Sequence, residues 1–196
     1  MLENYEFWKE IWDGKGRNES ESLIDSAGWT NIEISISSKQ ITQGIISLSN
    51  ITKQDKILEI GCGVGFLSRE FDQNYTGIDY SADIVKRHLS LFPEHDIRIA
   101  NANNLPFDDN TFDVSFAFGV FQYLPDDEFT ESVINEMIRV SKKAILIADL
   151  KNIKTHNKHF IYPVNKLERK GFEFSNCIYD SNDKTRYNAF LKLKKD

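Results

Sequence analysis

Apolar positions along the chain alternate between two periods, and the alternation sets out the elements. Ile57, Leu58 and Ile60 form a short apolar run with a β-branched bias, the pattern of a strand covered on both faces. The same pattern places strands at 56–61, 75–79, 96–100, 112–118 and 143–149. Helical spacing places helices at 65–72, 81–91 and 127–141, with a short turn near 103–107. Ser81 is a good N-cap with Asp83 in the first turn, Pro93 stops that helix, and Asp126 or Asp127 caps the next. Strand followed by helix, repeated, predicts parallel strands joined by right-handed crossovers.

The flanks read differently. Tyr5, Phe7, Trp8, Ile11 and Trp12 make a dense aromatic segment, with Trp8, Ile11 and Trp12 at helical spacing and Asp13-Gly14-Lys15-Gly16 ending the helix. Residues 19 to 36 are ambiguous. Ser38 to Ser49 reads as a helix carrying Ile41, Ile45 and Leu48 on one face. After 150 a polar loop with His156 and His159 leads to Tyr162-Pro163 and a short helix ending at Gly171. Phe172–Tyr179 and Arg186–Lys194 are strand-like runs joined by Asp180-Ser181-Asn182-Asp183, which predicts an antiparallel hairpin.

Composition narrows the class. A chain of 196 residues, 40% hydrophobic and 28% charged, suits one globular domain, 1–196, with 1–50 as a helical cap or lid and 51–196 as the core. A net charge of -6 argues against a nucleic-acid or anionic-membrane partner. No apolar run approaches the roughly 18 residues of a membrane span. Cys62 and Cys177 do not form a disulfide framework, and the opening Met-Leu-Glu-Asn-Tyr-Glu lacks a basic and then apolar signal pattern, so a cytoplasmic location is expected.

The candidate chemistry begins where the first strand ends. Gly61, Gly63 and Gly65 can take backbone angles closed to other residues and let a ligand approach the main chain. Asp79 closes the next strand, 20 residues after Glu59, where a carboxylate of an open α/β fold accepts from ribose hydroxyls. Spacing alone also allows a glycine turn without ligand, with Asp79 as a helix N-terminal charge. A nicotinamide-binding turn needs glycine at position 66, which is Phe66.

Leu58-Glu59-Ile60-Gly61-Cys62-Gly63-Val64-Gly65 resembles the glycine motif of the class I S-adenosylmethionine-dependent methyltransferases, in particular their small-molecule, type 11-like group. The resemblance covers residues 50 to 150 well. It implies a Rossmann-like three-layer α/β sandwich with a seven-stranded sheet in the order 3-2-1-4-5-7-6, the last strand antiparallel. It implies S-adenosylmethionine as cofactor, S-adenosylhomocysteine as product, and methyl transfer to a small-molecule acceptor at O, N or C. Gly61, Cys62, Gly63 and Gly65 would lie under the methionine part, Glu59 would brace the loop or bond the amino group, and Asp79 would bond both ribose hydroxyls. Tyr80, or a nearby aliphatic side chain, would cover the adenine. Asn101 stands where the family usually has Asp and keeps an acceptor for the adenine amino group, with the Ala102 backbone N–H beside it. The Phe118 carbonyl would accept from the methionine ammonium.

Gln122 stands where many relatives carry His, and it can position but not deprotonate. The candidate bases are Asp149, His156, His159 and Tyr162, and no further ligands beside the two histidines favour a metal. The absence of Asn-Pro-Pro-Tyr after the fourth strand argues against methylation of an adenine or glutamine amide nitrogen. Aromatic residues before the first strand often close such sites, so Tyr5, Trp8 and Trp12 are either a lid or packing. A non-catalytic S-adenosylmethionine-binding module and an NAD(P)-dependent oxidoreductase stand as rivals. The oligomeric state, monomer or homodimer, is open.

Overall fold

The computed structural model describes residues 2–28, 37–71 and 74–194. Seven strands make one sheet: β1 (Ile57–Ile60), β2 (Tyr75–Asp79), β3 (Asp96–Ile99), β4 (Phe112–Phe118), β5 (Ser141–Lys151), β6 (Glu173–Asn176) and β7 (Arg186–Lys192). Their order is β3-β2-β1-β4-β5-β7-β6, the predicted α/β arrangement. β1 to β5 pair in parallel, while β7 lies antiparallel between β5 and β6. The helices are α1 (Leu2–Arg17), α2 (Leu23–Ser26), α3 (Ser38–Ser49), α4 (Ala82–Leu91), α5 (Asp127–Val140) and α6 (Val164–Arg169).

Each sheet face carries its own core, which is why the central strands bury apolar side chains on both faces. Leu58, Ile60, Ala117, Ile145 and Ile147 pack with Val133, Ile134 and Met137 of α5. Ile57, Phe116 and Leu146 pack with Ile41 and Ile45 of α3 and Val85 of α4. The caps form as expected: the Ser81 hydroxyl accepts from the Ile84 amide at 3.2 Å and the Asp126 carboxylate from the Phe129 amide at 2.9 Å.

Three expectations are corrected. The helix expected at 65–72 is a single 3-10 turn, Ser68–Glu70, with residue 72 outside the described residues. Gly61, Gly63 and Gly65 all take positive φ (70°, 56° and 100°), which holds the chain out of the right-handed helical region there. The first helix does not end at Asp13-Gly14-Lys15-Gly16 but continues to Arg17. Gly16 serves packing: a Cβ there would lie 2.5 Å from the Asp83 carbonyl carbon, so α1 closes directly on the start of α4. Arg17 pairs with Asp83 at 2.6 Å and Ser81 donates to Asp13, fixing that approach. The fifth strand runs two residues further at each end than expected, through Asp149, a non-glycine residue at φ 59°. Its register with β7 slips between Ile147 and Leu150. Within the ambiguous segment, residues 29–36 lie outside the described residues.

Candidate functional site

The carboxyl ends of β1, β2, β4 and β5 and the start of β7 border one cleft, and Tyr5 and Trp12 of α1 are among its lining residues. Such a crevice is where open α/β sheets take their ligands. Glu59, Gly61, Cys62, Gly63, Asp79, Tyr80, Asn101, Ala102, Phe118 and Gln122 all line it. Gly65, His156, His159 and Tyr162 do not.

The three glycines do different work. A Cβ on Gly61 would meet Val120 Cγ2 at 2.6 Å, and one on Gly65 would meet the Phe92 ring at 2.6 Å. Both positions therefore serve packing as well as backbone angle. At Gly63 a Cβ would meet nothing within 4 Å, so this glycine opens the loop toward the cleft. The His88 ring bonds the Gly63 carbonyl at 2.7 Å and the Ser68 hydroxyl at 3.1 Å, so the loop is braced from behind.

Asp79 completes the cradle. One carboxylate oxygen accepts from the Gly63 amide at 3.2 Å and the other from the Ser81 amide at 3.0 Å. Each oxygen keeps acceptor capacity for a ligand hydroxyl. Burial pushes the Asp79 carboxyl up to about 6, against the pull of those two amides.

Glu59 lies deeper. It accepts from the Tyr75 hydroxyl at 2.5 Å, and burial, reinforced by the Asp79 charge, raises its pKa to about 8 against the Tyr75 bond. Between the ordinary 4.5 and about 8 the folded chain holds a proton that the unfolded chain releases, so this group lowers stability as pH climbs. Glu59→Gln, which still accepts from Tyr75, is expected to raise the melting temperature near pH 8 and to leave it nearly unchanged near pH 5. An equal effect at both pH values would contradict this.

At the β2–β3 end, the Tyr5 hydroxyl of α1 donates to Asn101 Oδ1 at 2.8 Å. Its ring lies 5.5 Å from that of Tyr80. Tyr5 and Trp12 line the cleft, while Trp8 does not. Trp8 is buried against Tyr123, at 4.7 Å between ring centroids, and stacks on His159 at 5.2 Å. Of the two roles open to it, lid or packing, Trp8 thus takes packing. Trp8→Ala is expected to cost about 3–5 kcal/mol in urea denaturation and to leave ligand affinity within a few-fold. An unchanged unfolding midpoint would contradict that assignment.

Three of the expected bases stand elsewhere. His159 is buried behind Trp8, and burial lowers its pKa to about 4. His156 is exposed and stacks on Phe7 at 5.7 Å. The Tyr162 hydroxyl donates to Glu131, and burial raises its pKa. A loop's side-chain directions are set by what it packs on, and here that is α1 and α5.

Gln122 does face the cleft. Its Nε2 donates to the Gly119 carbonyl at 3.1 Å, and its Oε1 is buried and without a hydrogen-bond partner. Sequence reasoning missed Lys151 and Arg186, which line the β5–β7 end beside Asp149. The signal was weak, since Lys151 falls in what reads as a polar loop and Arg186 at the start of a strand-like run, where charges usually face solvent. Among the described residues, no group of three or more His, Cys, Asp or Glu is placed to hold a metal ion, and no helix is long and apolar enough to cross a membrane.

Residues 58–147 match the family model of a methyltransferase domain. Over 125 residues the chain is 30% identical to the probable methyltransferase ltbC of Aspergillus luteorubrus, covering 56% of this chain and 44% of that protein. The chain spans less than half the length of the first curated relatives it matches. It is similar in fold to Haemonchus contortus phosphoethanolamine N-methyltransferase 1, solved with phosphoethanolamine and S-adenosylhomocysteine. That match has TM-score 0.72 and 15% identity, over 96% of this chain and 48% of that one. A second solved structure, magnesium protoporphyrin IX methyltransferase from Synechocystis PCC 6803 with bound SAM, matches with TM-score 0.67 and 11% identity, over 97% of both chains.

Proposed function

We propose that this chain, which carries a class I S-adenosylmethionine-dependent methyltransferase domain, transfers a methyl group from S-adenosylmethionine to a small-molecule acceptor. One observation carries this most directly: Asp79 and Gly63 are joined by a hydrogen bond at the cleft wall, with space above the glycine where a side chain would otherwise stand. A nucleoside needs that space for its body and that carboxylate for its two hydroxyls. The buried, partnerless Oε1 of Gln122, a residue that lines the cleft, is a further fitting feature, because a ligand N–H or O–H would give it the partner it lacks. Relatives named for phosphoethanolamine and tocopherol methylation support a small-molecule acceptor.

In this reading Asp79 holds the ribose, Gly61 to Gly63 accommodate the methionine part, and Asn101, Ala102 and Tyr80 surround the adenine. Bound S-adenosylmethionine supplies an electrophilic methyl carbon on a cationic sulfur. The chain supplies orientation and exclusion of water. Tyr5, Trp12, Phe118, Tyr123 and Phe129 line the cleft; aromatic side chains exclude solvent, and their ring faces attract a cation. Holding two reactants aligned is worth roughly 7–11 kcal/mol of barrier. Asp149 is not a free base: the Arg186 guanidinium contacts both its oxygens at 2.6 Å and the Tyr179 hydroxyl donates to it at 2.7 Å. It acts here as a holder of the β5–β7 end.

The test is transfer of labelled methyl from S-adenosylmethionine to a panel of small amines, phenols and acids. Labelled product is expected. Cofactor binding without transfer to any acceptor would favour a non-catalytic module, and quenching of NADH fluorescence without S-adenosylmethionine binding would favour an oxidoreductase.

A further inference from the structure

Resting on the methyltransferase reading, we propose that the β5–β7 end of the cleft is an anion subsite. There Lys151 and Arg186 seat a carboxylate or phosphate group of the methyl acceptor.

The two cations are direct cross-strand partners, Lys151 opposite Arg186, so their side chains stand on one face of the sheet. Both line the cleft. Like charges directly opposite on paired strands repel and cost stability. The chain nonetheless places them together, although its net charge is -6. The backbone distortion at Asp149, with φ 59°, adjoins them. Strain of this kind in a non-glycine residue collects at ligand sites.

The cations are held in different ways. Arg186 is fixed: Nη1 contacts both Asp149 oxygens at 2.6 Å, Nε lies 3.4 Å from Asp183, and the guanidinium sits 5.9 Å from the Tyr179 ring centroid. A fixed fork is the form in which arginine recognises planar or tetrahedral oxyanions. Lys151 Nζ donates to the Thr155 hydroxyl at 2.8 Å, and among the described residues no carboxylate lies within ion-pair distance of it. Asp149 and Asp183, the nearby acids, are engaged with Arg186. Burial and the Arg186 charge push Lys151 down to about 8, so a half-buried ammonium stands at the cleft without its own counter-charge. The groups that face it are Arg186, Asp149, Asp183 and, across the loop, His159. An acceptor anion would supply the missing charge and raise the Lys151 pKa.

The test uses sulfate as probe and calorimetry of the whole chain, with and without saturating S-adenosylhomocysteine. Titrations near pH 8 in two buffers of different ionisation enthalpy count protons. Sulfate is expected to bind wild type with uptake of about half a proton, as Lys151 becomes fully charged. Lys151→Met, checked for fold by circular dichroism, is expected to weaken sulfate binding about tenfold and to abolish the uptake. Lys151→Arg is expected to restore binding without uptake, because arginine does not titrate here. Parallel titrations with acetate and methyl phosphate distinguish a carboxylate-bearing from a phosphate-bearing acceptor. No sulfate binding to wild type, or equal binding and proton uptake in wild type and Lys151→Met, overturns the proposal. Failure of S-adenosylhomocysteine to bind would contradict the cofactor assignment alone, and the sulfate titration without it still decides the subsite.

Discussion

Gly63→Val is expected to lower affinity for S-adenosylhomocysteine by at least about a hundredfold while the far-ultraviolet circular dichroism spectrum is retained. Two effects add. The glycine sits at φ 56°, a region in which a β-branched residue is strained by about 1–3 kcal/mol. Its missing side chain also points into open space at the cleft wall, where a Cβ meets no atom within 4 Å, so the valine side chain would occupy ligand volume. That second property makes Gly63 the clean probe. Substitution at Gly61 or Gly65 would first displace Val120 or Phe92, and a loss of binding there would report a distorted loop. Calorimetric titration checks the outcome. Undiminished affinity in folded Gly63→Val would place the ligand elsewhere.

Asp79→Ala is expected to lower the same affinity by at least about a hundredfold, because the two ligand hydrogen bonds to a charged partner are each worth roughly 1.5–3 kcal/mol. The Gly63 and Ser81 amides would lose their acceptor as well, which loosens the loop that carries the ligand. The carboxyl adds a pH signature. Ligand hydroxyls donate to its charged form, so binding favours the deprotonated state. Burial sets the ligand-free pKa at about 6, hence affinity is expected to hold above that value and to decline as pH falls through it. Asp79→Asn keeps the shape and removes this part of the slope. An identical pH profile in wild type and Asp79→Asn would take Asp79 out of the site.

Much of the scaffold was legible because local chemistry and tertiary role coincide in it. Ile57, Leu58 and Ile60 are apolar on both faces because the strand is covered on both faces, and Ser81 caps a helix through its own hydroxyl. The strand order came from the family resemblance, and the sheet carries it. Legibility failed where the deciding partner is remote in sequence. Gly14 and Gly16 have the look of a stop signal, yet Gly16 is small because α4 closes on it. Trp8 and Trp12 share a helical face pattern and both pack on Tyr123, and only the contacts of Trp8 with His156 and His159 separate the buried ring from the cleft-lining one. His156 and His159 look like chemistry because histidine so often titrates near neutrality, but their surroundings use them as rings. Lys151 and Arg186 become neighbours only through the antiparallel register of β5 and β7, which no local pattern encodes.

The central claim is that Gly63 and Asp79 together cradle a nucleoside, and electron density from crystals grown with S-adenosylhomocysteine tests it most directly. The expected result is a ribose whose two hydroxyls lie about 3 Å from the Asp79 carboxylate, with the chain of the ligand passing over Gly63. Density for the compound at any other place, or a clear map at these two residues without it in a sample saturated with ligand, would contradict the account.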